Sequence, residues 1–278
     1  MKDNLDATKY TGRNRVLANT ASQSRRCPWR LWLWGTYLFF SLSSAHQHLL
    51  QSLPRIDSLG SRLFLLNLYP QLSTVPSAFR PLDAPLNPPR TRALDVGAGI
   101  GRVTADVLLH LVSDVVLLEP VDSFVQEALS RARSSAADTK TSAKSSWPGL
   151  SDQTKSVTIL QGTLQDFHPL MPHHARFLDR VGYQPPRPAD EIGTGFDVIW
   201  CQWCLGHLSD VDLVLFLRRC HESLNKHPKS VIVVKENICT EAEDGSERSI
   251  FDEQDSSLTR CVYVIVVRVL LLIGLQFG

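Results

Sequence analysis

The stretch Asp95-Val-Gly97-Ala-Gly99-Ile-Gly101-Arg102 sets an acidic side chain ahead of alternating glycines and closes on a basic one. Glycine lets a backbone turn sharply and approach a ligand with no Cβ in the way. A helix entered from such a turn aims its free N–H groups at an anion. A nicotinamide site reads a pyrophosphate with G-x-G-x-x-G, whereas the spacing here is G-x-G-x-G. That arrangement suits a ligand bearing both an amine and a carboxylate. Asp95 is placed to influence the amine, and Arg102 to pair with the carboxylate in a bidentate fork. Glu119, one βα unit further on, offers a carboxylate to two ribose hydroxyls. The glycines alone would equally serve a tight turn; loop and carboxylate together point to an adenosyl ligand.

Two further clusters follow. Gly162-Thr-Leu164-Gln165-Asp166 stands where a purine would lie at the carboxyl edge of a sheet, so Leu164 and Gln165 are candidates to frame an adenine. An ordinary strand-ending turn is the plainer reading of that segment by itself. Trp200-Cys-Gln202-Trp203-Cys-Leu-Gly-His207 is denser. A group that accepts an alkyl unit must present a lone pair, and an amine must first lose a proton, which a histidine or carboxylate can take. Trp203 supplies a flat wall against a cyclic side chain or a cation.

These residues need a scaffold of alternating strands and helices. Arg92–Val96, Asp114–Glu119, Val157–Leu160, Phe196–Trp200 and Ser230–Lys235 read as buried strands. Helices are expected over Arg102–Leu111, Ser123–Arg133 and Asp210–Leu224. Such alternation implies parallel pairing and a doubly wound α/β sheet. Ser134–Ser156 and His168–Gly195 offer no repeating apolar face and read as exposed insertions. Pro70–Arg92, with six prolines, reads as a surface linker.

The 278 residues carry 29 Lys and Arg against 28 Asp and Glu, a net charge of +1, so no global charge signals a nucleic-acid partner. The six cysteines are scattered, which fits a reducing compartment better than a disulfide framework. Cys201 and Cys204 lack a second pair to complete a zinc site, and read as packed thiols at a strand end; no metal is expected. Arg25–Arg30 precedes an uncharged run, Leu31–Ala45, that resembles a signal-anchor core but falls short of the roughly 20 residues a spanning helix needs. The apolar segment from Cys261 to Phe277 reads as a buried terminal strand or helix, with a tail anchor as its rival. A membrane partner is not the expectation for either run.

The glycine loop, Leu164-Gln-Asp-Phe167 and Phe196-Asp-Val-Ile-Trp-Cys-Gln-Trp-Cys-Leu-Gly-His-Leu208 together resemble the α-N-terminal protein methyltransferases, which modify X-Pro-Lys or X-Pro-Arg amino termini. Phe216-Leu-Arg-Arg-Cys220, Val234-Lys-Glu-Asn237 and Asp252-Glu-Gln-Asp255-Ser-Ser257 extend the resemblance, and a weaker match begins near Arg55. It implies a class I, Rossmann-like fold over residues 55–260, between an atypical N-terminal region 1–54 and an apolar tail 261–278. The sheet is then expected to be incomplete at its C-terminal edge. The implied cofactor is S-adenosylmethionine, held by Gly97, Arg102, Glu119, Leu164, Gln165 and Gln202; Glu119 stands where an aspartate is usual. Asp252 and His207 are implied as the catalytic pair that deprotonates or orients the α-amine. Trp203, Asn237, Asp255 and Ser257 are implied on the substrate side, with Asp255 attracting the cation at the third position. The implied partners are protein N-termini in the cytoplasm or nucleus. Two rival readings remain: a membrane-associated or inactive member of the same fold, and a methyltransferase acting on a small molecule.

Overall fold

The computed structural model describes residues 31–35, 47–74, 89–137, 146–186, 194–226, 230–239 and 249–261. Its strands are β1 (Leu31–Gly35), β2 (Arg92–Val96), β3 (Asp114–Glu119), β4 (Ser156–Gln161), β5 (Arg176–Gly182), β6 (Val198–Gln202), β7 (Val231–Glu236), β8 (Ile238–Cys239), β9 (Ser249–Asp252) and β10 (Ser257–Cys261). The helices are α1 (Gln47–Leu68), α2 (Arg102–Asp106), α3 (Asp122–Ala137) and α4 (Asp210–Glu222).

Seven strands form one sheet in the order β1-β7-β6-β2-β3-β4-β5. From β2 the chain runs outward through β3 and β4, then returns to β6 and β7 on the other side. The pairs around β2 are parallel, so the carboxyl ends of β2 and β6 border the crevice where strand order reverses. Ligands of doubly wound sheets bind at that point. The central strands read as unbroken apolar runs because both of their faces are covered. Ala93, Val115 and Leu117 enter one core cluster with Leu65 of α1 and Val125 and Ala128 of α3. Leu94, Val116 and Leu118 enter the other with Leu213, Phe216 and Leu217 of α4.

The structure differs from the sequence-based expectation in several places. The helix after the glycine loop has five residues, Arg102–Asp106, followed by a 3-10 turn at Leu108–His110. A helix this short lends little dipole, and the amides of Ala98, Gly99 and Gly101 already donate to Leu118 O, Glu119 Oε2 and Ala98 O. The segment Ser134–Ser156 is partly interior: α3 runs on to Ala137, and Trp147 and Leu150 are buried. The aromatic ring of Trp147 stands 2.4 Å from where a Cβ on Gly101 would lie, so the last loop glycine is required by this packing and by its φ of +82°. The segment His168–Gly195 contains β5, antiparallel to β4 at the sheet edge. Its Arg176, Asp179 and Arg180 mask the strand pattern, as charges on an edge strand discourage further pairing.

Beside β7, where an incomplete edge was expected, β1 pairs in parallel over Leu31↔Ile232 to Gly35↔Glu236. The start of the apolar run is therefore a strand, while its remainder and the segment from Val262 onward lie outside the described residues. Among the described residues no helix is long and apolar enough to cross a membrane. A second, three-stranded sheet, β8-β10-β9, joins β7 to the hairpin that carries Asp252 and Ser257.

Candidate active site

The glycine loop leaves β2 at the crevice. The amide N–H of Gly99 donates to Glu119 Oε2 at 2.7 Å, and that of Val121 to Oε1 at 2.9 Å. Glu119 is thereby fixed at the end of β3, with its carboxylate against the loop. Gly97 is confined by protein: a Cβ there would meet Cys204 Cβ at 2.4 Å. Nothing lies within 4 Å of the corresponding point on Gly99, so this glycine is the one that faces open space. Across the crevice Leu164 is buried and Gln165 exposed. Their carbonyls both accept from Arg219 Nη2 of α4, at 2.8 and 3.0 Å.

Asp95 and Arg102 do not sit as the spacing suggested. Asp95 is buried and accepts from the Thr104 hydroxyl at 2.6 Å. Burial pushes its carboxyl up to about 7, against the hydrogen bond from Thr104 and the charge of Arg102. It braces the loop from beneath. Arg102 Nη1 pairs with Asp57 of α1 at 3.0 Å, and Gln202 Nε2 donates to the same Asp57 oxygen at 3.1 Å. Gln202 Oε1 accepts from Trp200 Nε1 at 3.0 Å. Lys235, 1% exposed, is the third partner, pairing with Asp57 Oδ1 and donating to Ser61 Oγ at 3.1 Å. Arg102, Gln202 and Lys235 thus converge on one carboxylate. Burial raises the carboxyl of Asp57, but the bonds from Lys235 and Gln202 and the cations outweigh it, so the result is lowered. Burial depresses the Lys235 ammonium, opposed by Asp57.

The acceptor side adjoins this. Trp203 leaves β6 in a left-handed conformation, φ 56°, with its ring exposed and the Arg102 guanidinium 5.6 Å from its centroid. Trp203, His207, Asn237, Asp255 and Ser257 line one pocket. Asp255 caps the hairpin turn: its Oδ1 accepts from Ser257 N at 2.9 Å. The Ser257 hydroxyl and N–H hold its carboxyl below the usual carboxylate range, and His207 adds to this. Asp252, paired in sequence analysis with His207, is not in this lining. It lies on β9 across from Ser257, exposed, with Oδ1 accepting from Gln254 N at 2.8 Å. The hairpin turn sends Asp252 and Asp255 to different places, and Asp255 is the one beside His207.

Sequence reasoning passed over Asp57, Lys235, Glu236, Arg219 and Arg260. A lysine ending the apolar strand Val-Ile-Val-Val was a signal, since a buried ammonium needs a carboxylate partner. Cys201, Cys204 and Cys220 are free and buried, and burial pushes their thiols up. They are packed thiols, as the C-x-x-C spacing without a second pair suggested. Among the described residues no group of histidine, cysteine and carboxylate side chains is arranged to hold a metal.

A doubly wound sheet with a glycine loop at its switch point and an acidic residue ending the next strand defines a Rossmann-like domain for an adenosyl ligand, and the family match makes it a class I S-adenosylmethionine-dependent methyltransferase. The AdoMet-dependent proline di-methyltransferase family matches residues 50–275, and the chain belongs to that family. The alpha N-terminal protein methyltransferase 1 of Schizosaccharomyces pombe is 33% identical over 209 residues, 75% of this chain and 67% of that one. The N-terminal Xaa-Pro-Lys N-methyltransferase 1 of Danio rerio is 36% identical over 174 residues, 62% of this chain and 56% of that one. The chain thus spans from about two fifths to two thirds of the length of the curated relatives it matches. A solved SAM-dependent methyltransferase from Leishmania major is 24% identical, covering 83% of this chain and 68% of its own, with a TM-score of 0.49.

Proposed function

We propose that this chain methylates the α-amine of protein N-termini of the X-Pro-Lys or X-Pro-Arg type. The observation that carries the reading is the single pocket in which His207 and Asp255 meet Trp203 and Asn237, directly beside Arg102. The residues suit the group: Glu119 ends β3 with its carboxylate on the loop amides, where remaining lone pairs would accept from a ribose, Gly99 faces open space, and Arg102 and Lys235 together outweigh the charge of Asp57 at the place a carboxylate would approach. Bound S-adenosylmethionine supplies an electrophilic methyl on a sulfonium. The protein's own task is to present an unprotonated amine to it. An α-amine is largely protonated near neutral pH, so His207 accepts the proton while the Asp255 carboxylate holds the nitrogen. Trp203 offers its ring to the proline, and Asn237 and Ser257 hold the peptide backbone. Asp252, further out on the hairpin, then takes the role of attracting the cation at position three.

Initial-rate assays test this division. X-Pro-Lys peptides should be methylated and X-Pro-Glu peptides rejected, because like charge at the acidic hairpin opposes docking. Asp252→Lys should raise KM with kcat little changed, since that contact is remote from the reacting nitrogen. His207→Ala and Asp255→Asn should lower kcat by about 100-fold at neutral pH and move the optimum upward. Equal rates on both peptides, with cofactor binding intact, would remove the α-amine assignment.

A further inference from the structure

Between β6 and α4 the chain makes a 3-10 turn, Leu205–His207, that presents Trp203 at one end and His207 at the other. Buried backbone N–H and C=O groups need partners, and this turn cannot satisfy all of its own. The amides of Cys204 and Leu205 both donate to Glu236 Oε1, at 2.8 and 2.9 Å. Arg260 Nη1 reaches Leu205 O within the turn at 3.2 Å, and its Nη2 reaches Leu208 O at the far end at 2.6 Å. The Arg260 Nε bonds Asp210 Oδ1 at 2.9 Å, tying the same guanidinium to the start of α4. A carboxylate thus holds the amides of the turn and a cation holds its carbonyls. Glu236 and Arg260 both line the acceptor pocket.

Trp203 makes the clamp necessary. A bulky side chain at positive φ is a strained state that persists only when its surroundings over-determine it. The Trp203 amide donates to Lys235 O at 3.1 Å, and the next two amides are taken by Glu236. Against the turn, a Cβ on Gly206 would lie 3.3 Å from Leu258 O, so β10 packs closely over it. Burial pushes the Glu236 carboxyl up to about 7, with the Leu205 and Cys204 amides and Arg260 opposing that shift.

We infer that Glu236, braced by Arg260, is a positioning residue that fixes Trp203 and His207 at the acceptor pocket by clamping the backbone of residues 204–208 from both ends. The inference rests on the proposed α-amine reading for its catalytic consequence, but its structural content does not. Displacement of a reacting group by about 1 Å can cost about 100-fold in rate. Loss of the clamp should therefore fall on kcat more than on cofactor affinity, because the cofactor residues lie outside the clamped turn: Gly97 and Arg102 in the glycine loop, Glu119 at the end of β3, Leu164 and Gln165 after β4, and Gln202 at the end of β6.

The test compares the full chain with Glu236→Ala and Glu236→Gln in three readouts. These are amide hydrogen exchange over residues 203–208, cofactor affinity by calorimetry, and kcat and KM on an X-Pro-Lys peptide. In Glu236→Ala, exchange over 203–208 should speed by about tenfold or more. Cofactor affinity should stay within about threefold, and kcat should fall about 100-fold. Glu236→Gln keeps an oxygen for the same two amides, so it should restore both exchange protection and most of kcat. Should Glu236→Ala fail to fold, Glu236→Asp, with its carboxylate drawn back, takes its place under the same criteria. Unchanged exchange in the variant overturns the clamp. So does altered exchange with kcat unmoved, or a loss of cofactor affinity equal to the loss in kcat, or a glutamine variant as inactive as alanine. If the wild-type chain methylates no X-Pro-Lys peptide, the α-amine reading has failed, and the exchange comparison still decides the clamp.

Discussion

Asp95 shows how a residue within the most recognisable motif serves the loop before it serves any ligand. Its carboxyl rises from 3.8 to about 7, chiefly through burial. A raised folded value means that the folded chain holds a proton which the unfolded chain has already lost between about pH 4 and 7. Stability from this group is therefore full below the unfolded value and lost as pH rises through 7. Asp95→Asn keeps an acceptor for Thr104 and removes the charge. In urea denaturation without ligand, the variant should gain on wild type from pH 4 to pH 8, by up to a few kcal/mol. Other titrating groups, Glu236 among them, are shared and cancel in the difference. A pH-independent difference would show that Asp95 is not held as described. The glycine loop, Glu119, Trp203 and His207 were legible because their chemistry is local in sequence. Asp252 and Asp255 were not distinguishable, since three residues of spacing says nothing until the hairpin register is known. Asp57 and Arg260 act through contacts at least 45 and 50 residues distant, beyond any local pattern.

At the scale of elements, helix α1 is the piece that joins the sheet edge to the cofactor loop. Leu65 enters the core, but Asp57 gives the helix its register, receiving Arg102, Gln202 and Lys235 together. Removing one member of a buried ion pair strands the other and is destabilising by about 3–5 kcal/mol. Asp57→Ala should therefore lower the unfolding free energy at pH 7 by roughly that amount, read by urea denaturation. Adding Lys235→Met should recover most of the loss, because no ammonium then remains without its partner. If Asp57→Ala alone stays within about 0.5 kcal/mol of wild type, the helix is not anchored this way. The central strands β2, β3, β4, β6 and β7 were legible to within one or two residues, since burial on both faces leaves an unbroken apolar run. β5 was hidden by edge charges, and β8–β10 are too short and polar to stand out. β1 lay in a run whose apolar character fits strand and helix alike.

Across the whole molecule, the order β7-β6-β2-β3-β4 gathers the carboxyl ends of five parallel strands into one rim. Glu119 ends β3, Gln202 ends β6 and Glu236 ends β7, so the candidate site residues gather from both sides of the switch point. The described parts of the long segments that interrupt the sequence pattern add β5 to the sheet edge and seat Trp147 against Gly101 of the glycine loop. The net charge is only +1, so on the proposed reading substrate choice rests on local charge, chiefly that of Asp252. On the proposed reading the methyl goes to an unblocked α-nitrogen. The most direct test incubates the chain and S-adenosylmethionine with an X-Pro-Lys peptide or the same peptide acetylated at its N-terminus, and locates any added methyl by tandem mass spectrometry. Methylation at the α-nitrogen of the free peptide, and none on the acetylated one, is the predicted result. Methyl groups on the lysine side chain, or equal labelling of both peptides, would contradict the account.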